Sequence, residues 1–178
     1  MSDVKDLKEK VQREIDKIAP QLIECSDWMA DNPEIGLQEF QASARLARML
    51  EESGAEVDRG IAEMPTAFWA TLAGSGSERP LIAILAEYDA LPDVGHGCGH
   101  NIIGNAAVGA GIALSRLGQL GELGELSGKV VVIGTPAEED AGGKIDILEH
   151  GYFDGVDAAI MIHPAPQDLI APRHLRFP

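Results

Sequence analysis

Two unbroken apolar runs limit what this chain can fold into more than any other feature. Pro80-Leu81-Ile82-Ala83-Ile84-Leu85-Ala86 and Val130-Val131-Val132-Ile133 contain no polar residue. A strand with one wet face alternates polar and apolar side chains, so a continuous run fits a strand covered on both faces. Such strands belong to parallel or mixed sheets flanked by helices. Two further runs join them as predicted strands: residues 67–73, closed by Gly74-Ser75-Gly76-Ser77, and residues 158–162.

Helical spacing fills the intervals. Val4, Leu7, Val11, Ile15, Ile18 and Leu22 predict an amphipathic first helix. Ser2 is its candidate N-cap, Pro20 a kink point, and Asn32-Pro33 a stop. A second helix is predicted from about Gln38 to Gly54. Residues 102–117 are small and apolar, with Gly104, Gly109 and Gly111 among them, which reads as a buried helix lying close on the sheet. Gly118 to Leu126 repeats a short Gly-polar-Leu unit, too short for a solenoid and read as a loop. Ile145 to His150 is a last short helix ending at Gly151. Strands alternating with helices make an α/β sandwich of layers.

The bulk numbers set the class. A chain of 178 residues fits one domain, and 45% hydrophobic with 24% charged residues suffices for a core. A net charge of −15 with no basic cluster argues against nucleic acid as a partner. No stretch approaches the ~20 apolar residues of a membrane span. The start, MSDVKDLKEK, has no apolar core of a secretory signal. A cytoplasmic, reducing setting is the expectation, and Cys25 and Cys98 are expected to stay unpaired.

Chemistry-bearing residues recur where predicted strands end, the edge at which open α/β sheets place their sites. Glu87-Tyr88-Asp89 follows the second strand, with His96-Gly97-Cys98-Gly99-His100-Asn101 shortly after. Glu138-Glu139 follows the third, and the fourth runs into His163-Pro164. Singly these are weak: an Asp at a strand end usually caps a helix, and a Glu pair is usually a solvated face. Jointly they are hard to dismiss, because separate accidents would have to fall on one edge. Thiolate, imidazole and carboxylate together suit a borderline divalent ion such as zinc, with manganese and cobalt accepting much of the set. Two ions about 3.5–4 Å apart can polarise an amide carbonyl and activate water. Adjacent glutamates can then divide the labour, one on metal and one moving a proton.

The ordered set AEYDALP, GHGCGHN, GTPAEEDAGGK and a strand ending in His-Pro resembles metallopeptidase family M-twenty, in its amidohydrolase branch. Cys-Gly-His-Asn and the Gly-Gly-Lys after Glu-Glu favour the aminobenzoyl-glutamate hydrolase and aminoacylase-like dipeptidase subgroup. Asn32-Pro33-Glu34-Ile35-Gly36, followed by Glu39, matches the family's N-terminal pattern. The resemblance implies a three-layer αβα sandwich with a mixed, mostly parallel sheet of the zinc-exopeptidase type. It implies two divalent ions, zinc or manganese, held by Cys98, His100, Glu139 and His163. Glu138 becomes the general base, and Asp89 a carboxylate that orients the metal site. Glu87 stands at the same edge with no assigned role, and His96 is left out of the ligand set. The implied substrate is an N-acyl amino acid or dipeptide, and the implied whole protein is a homodimer.

Family members continue into a small lid and dimerisation domain, then return to the metal domain with one more His ligand. Residues 1–178 therefore read as the N-terminal part of the catalytic domain. His174 is not taken for the missing ligand. Activity of this portion alone is expected to be weak, and a non-catalytic metal-binding fragment is the alternative. A thiol enzyme with Cys98 as nucleophile and His100 as base is a second. It leaves Glu138, Glu139 and His163 unexplained. Nucleotide binding lacks both a Gly-x-Gly-x-x-Gly at a strand–helix junction and a phosphate-loop Lys.

Overall fold

The computed structural model describes residues 4–73, 77, 79–123 and 128–165. The expected Ser2 cap, residues 74–76 of the expected turn, residues 124–126 of the expected loop and His174 lie outside the described residues.

Helix α1 (Val4–Asp31) is longer than the periodic apolar residues predict, and Pro20 sits inside it without ending it. Its core stripe lies further along than its start: Ile18, Cys25 and Met29 are buried, whereas Val4 is 65% exposed. The Asn32 side-chain amide closes the helix by donating to the Trp28 carbonyl at 2.8 Å. Helix α2 (Phe40–Glu52) buries Leu46, Ala47 and Leu50. Its first free N–H groups are capped from outside by the Glu34 carboxylate, which accepts from Gln41 and Ala42 at 3.0 and 2.9 Å.

Five strands form one mixed sheet in the order β1-β2-β4-β3-β5. They are β1 (Glu56–Arg59), β2 (Phe68–Thr71), β3 (Leu81–Ala86), β4 (Lys129–Gly134) and β5 (Ala158–Ile160). The strands β4, β3 and β5 run parallel, whereas β1 and β2 join antiparallel on the other side. The two unbroken apolar runs are thus the interior strands β3 and β4, as their composition requires. Strand β1 has no counterpart among the sequence expectations. Its residues Glu-Val-Asp-Arg offer a single apolar side chain, and an edge strand held by backbone pairing leaves little hydrophobic signal.

Helices α1, α2 and α3 (His100–Gln119) cover one face, where Leu46, Leu50, Val108 and Ile112 meet Phe68, Ile84 and Val132. The other face carries a 3₁₀ turn (Ile61–Glu63) and α4 (Gly143–Glu149), with Ile61, Met64 and Ile147 packed on Ala83, Val131 and Ile133. The result is the three-layer sandwich expected. Among the described residues no helix is long and apolar enough to cross a membrane. Cys25 and Cys98 are both free.

Two glycines set how α3 sits. A Cβ on Gly111 would lie 2.8 Å from a Val132 methyl, and one on Gly104 would lie 2.8 Å from the Glu87 carbonyl oxygen. Without those Cβ atoms the helix seats directly on β3 and β4. Its N-terminal residue, His100, is thereby carried to the edge where β3, β4 and β5 end.

Candidate metal centre

Four segments converge at that edge. Glu87 and Asp89 leave the end of β3, Glu138 and Glu139 leave β4, His163 leaves β5, and His100 opens α3. His100 is 1% exposed, and its Nδ1 lies 2.8 Å from Asp89 Oδ1. The other oxygen of Asp89 accepts the Glu139 backbone N–H at 3.0 Å. One buried carboxylate therefore fixes both an imidazole and the backbone of the glutamate loop.

The remaining nitrogen of His100, Nε2, has no hydrogen-bond partner. Around it stand Glu87 Oε2 at 3.5 Å, Glu139 Oε1 at 3.6 Å and Glu138 Oε2 at 4.0 Å. Ligand atoms from Glu87, His100 and His163 all lie within 4.8 Å of one another, as do those from His100, Glu138 and Glu139. The two triads share His100. His163 meets it edge-on, with ring centroids 5.9 Å apart, and turns its own Nδ1 to the Pro164 carbonyl at 2.9 Å. That bond places the lone pair of a neutral His163 ring on Nε2.

The electrostatics are those of a cation site. Burial works against the charged form of Asp89, yet the hydrogen bonds from His100 and the Glu139 amide hold its carboxyl below the usual range. Burial likewise disfavours a charged His100, but the hydrogen bond to Asp89 and the charges of Asp89, Glu87 and Glu139 raise it above an ordinary histidine. The Glu139 carboxylate beside Cys98 foremost, then burial and the charges of Glu138 and Asp89, push its thiol up to about 11. A thiol so placed is a poor nucleophile near neutrality. This weakens the thiol-enzyme reading and leaves Cys98 beside Glu139.

The structure brings Asp89, His100, Glu138, Glu139 and His163 to one place, and Cys98 stands beside Glu139 but belongs to neither triad. Both glutamates of the pair reach the same imidazole edge, although Glu138 is the more open at 41% against 23%. His96 belongs to neither triad. Burial and the neighbouring His100 charge depress its basicity.

Three residues matter that sequence reasoning did not assign. Glu87 is buried at the centre, with Oε1 paired to Lys144 and Oε2 unpartnered. Lys144 opens α4, where a Cβ on Gly143 would collide with the Pro136 carbonyl oxygen. Glu39, fully buried, accepts the Ala137 N–H at 2.8 Å. Ala137 has a positive φ of 55°, so Glu39 braces a strained residue directly ahead of Glu138-Glu139. Burial holds the Glu39 carboxyl above the ordinary range. The available signal was the position of Glu87 two before Asp89, and the Gly-Gly-Lys run.

A family model for peptidase family M20/M25/M40 matches residues 83–173, the span that supplies every one of these candidate ligands. The chain belongs to peptidase family M20/M25/M40. It is 37% identical over 169 residues to the Xaa-Arg dipeptidase of Mus musculus, covering 91% of this chain and 39% of that protein. It is 38% identical over 162 residues to one of the subunits of p-aminobenzoyl-glutamate hydrolase from Escherichia coli (strain K12), covering 79% of this chain and 32% of that one. Among solved M20 structures, a dinuclear metal binding peptidase from Bacillus subtilis superposes with a TM-score of 0.69 at 30% identity, covering 81% of this chain and 42% of the other. This M20 chain thus spans about two fifths or less of the length of the curated relatives it matches.

Proposed function

We propose that this chain carries the metal centre of a divalent-metal-dependent amidohydrolase that splits the amide bond of N-acyl amino acids or dipeptides. The observation that carries the reading is the unpartnered, buried Nε2 of His100 facing carboxylate oxygens. Ligand distances of about 2.0–2.2 Å in a tetrahedral site give ligand–ligand edges of about 3.4 Å. Glu139 Oε1, at 3.6 Å from that nitrogen, is close to such an edge. Glu138 Oε2, at 4.0 Å, is further and more exposed.

Cys98, His100, Glu139 and His163 are the residues we propose would hold a divalent ion, zinc or manganese in two positions, and the grouping of His100 with Glu139 and of His100 with His163 supports that set. When bound, such ions polarise an amide carbonyl and acidify water. Asp89 keeps the His100 lone pair on Nε2 by accepting the Nδ1 proton. Glu138 is left to take a proton at its carboxylate and deliver it to the leaving amine. The names of the mouse and Escherichia coli relatives, a dipeptidase and an aminobenzoyl-glutamate hydrolase, support the substrate class.

The test is hydrolysis of a panel of N-acyl amino acids and dipeptides before and after chelation. Turnover abolished by chelator and restored by zinc or manganese supports the reading. Turnover indifferent to chelator but blocked by alkylation at Cys98 contradicts it. Stoichiometric metal uptake without turnover by the 178-residue chain favours the narrower alternative, a metal-binding portion whose catalysis needs the rest of a longer protein.

A further inference from the structure

Glu87 is a carboxylate in an unusual position. It is 1% exposed, and one of its oxygens, Oε1, is neutralised by the Lys144 ammonium. The other, Oε2, is buried without a hydrogen bond and lies 3.5 Å from the equally unpartnered Nε2 of His100. A buried carboxylate oxygen left bare is costly. The two bare atoms face each other, and both are electron-pair donors when His100 is neutral, since its proton sits on Nδ1 against Asp89. A cation seated between them accepts both lone pairs at once. Their separation again approaches the tetrahedral edge of about 3.4 Å for a divalent ion.

Resting on the metal-centre reading above, we propose that Glu87 is a further ligand of this centre and that Lys144 is its positioning residue. The ammonium holds Oε1, offsets the carboxylate charge, and leaves Oε2 aimed at the ion. The third member of that triad is His163. Gly143 makes the arrangement possible: without a Cβ the start of α4 can press against the Pro136 carbonyl, which brings Lys144 within reach of the end of β3. One carboxylate is thus shared between a fixed cation of the chain and an exchangeable one.

The experiment is calorimetric titration of the metal-free protein with zinc and with manganese, together with its melting temperature with and without metal. It is run on wild type, Glu87→Gln, Lys144→Met and the double variant. Glu87→Gln is expected to keep its fold by circular dichroism and to bind at least about tenfold more weakly, or to lose an equivalent. Lys144→Met is expected to lower the metal-free melting temperature and to regain more of it on adding metal than wild type does. The double variant is expected to recover the metal-free melting temperature while binding as weakly as Glu87→Gln. Wild-type affinity and stoichiometry in Glu87→Gln would overturn the proposal and leave the metal centre standing. A Lys144→Met loss that metal does not relieve would overturn the role of Lys144. A wild-type protein that binds neither ion would sink both the proposal and the reading it rests on.

Discussion

Asp89 and His100 face each other at 2.8 Å with 1% or less of either side chain exposed. The same carboxylate also accepts the Glu139 amide. Asp89→Asn should therefore disturb two groups at once, since an amide cannot accept both protons. The expected result is a loss of zinc affinity of about 10–100-fold with the fold retained. Titration calorimetry on wild type and variant checks it.

Glu138 stands furthest of the three carboxylates from His100 Nε2 and is the most open. Glu138→Gln should keep metal content near wild type while lowering kcat by about 10²–10⁴ in the active protein. Elemental analysis and steady-state kinetics on one preparation separate the two effects. An equal loss of metal and rate would make Glu138 a ligand.

The Cys98 thiol, pushed up to about 11, holds a proton that a metal ion must displace. The thiol is protonated in the metal-free protein and deprotonated when bound, so apparent metal affinity should climb as pH rises towards that value. Cys98→Ala should bind more weakly with a shallower slope. Competition titrations at several pH values measure that slope.

Gly104 lets α3 lie against the Glu87 carbonyl, where a Cβ would come within 2.8 Å of backbone oxygen and 3.0 Å of a Leu46 methyl. The carbonyl oxygen belongs to backbone and cannot rotate away as the end of the leucine side chain can. Gly104→Ala should destabilise the fold by about 1–3 kcal/mol despite the better helix propensity of alanine. Urea unfolding gives the value.

Asp157 ties the start of β3 to the segment before β5. Its carboxylate accepts the Leu81 N–H at 2.7 Å and pairs with Arg79 at 2.6 Å. The backbone hydrogen bond foremost, and then Arg79, hold its carboxyl below the ordinary range. A depressed carboxyl contributes stability above its unfolded value and loses it as pH falls through its folded value. Asp157→Asn should lower Tm at neutral pH, and the gap to wild type should close in acid. Thermal melts from about pH 7 downward follow it.

How much of this was legible in the sequence differs from residue to residue. Strands β3 and β4 announced themselves because burial on both faces leaves no polar alternation to confuse the period. The close-lying helix α3 was readable from its run of small apolar residues, despite its glycines. Strand β1 was invisible because Glu56, Asp58 and Arg59 carry no hydrophobic signal, and its pairing with β2 is through the backbone. Pro20 was read as a kink point rather than an end, and packing of Cys25 and Met29 carries α1 past it to Asp31, just before the expected stop at Asn32-Pro33. At the site, clustering by strand order brought out Asp89, His100 and Glu139. The roles of Glu39, Glu87 and Lys144 depend on distances between segments far apart in the chain, which spacing alone does not carry.

The most direct test of the central claim is the metal content of the purified protein, by elemental analysis after equilibration with zinc or manganese, beside Glu139→Ala and Cys98→Ala. The account predicts about two equivalents for the complete centre, or one if the second position needs the rest of a longer protein, with marked loss in both variants. A folded wild-type protein that takes up neither ion, or variants that retain the full complement, would contradict it.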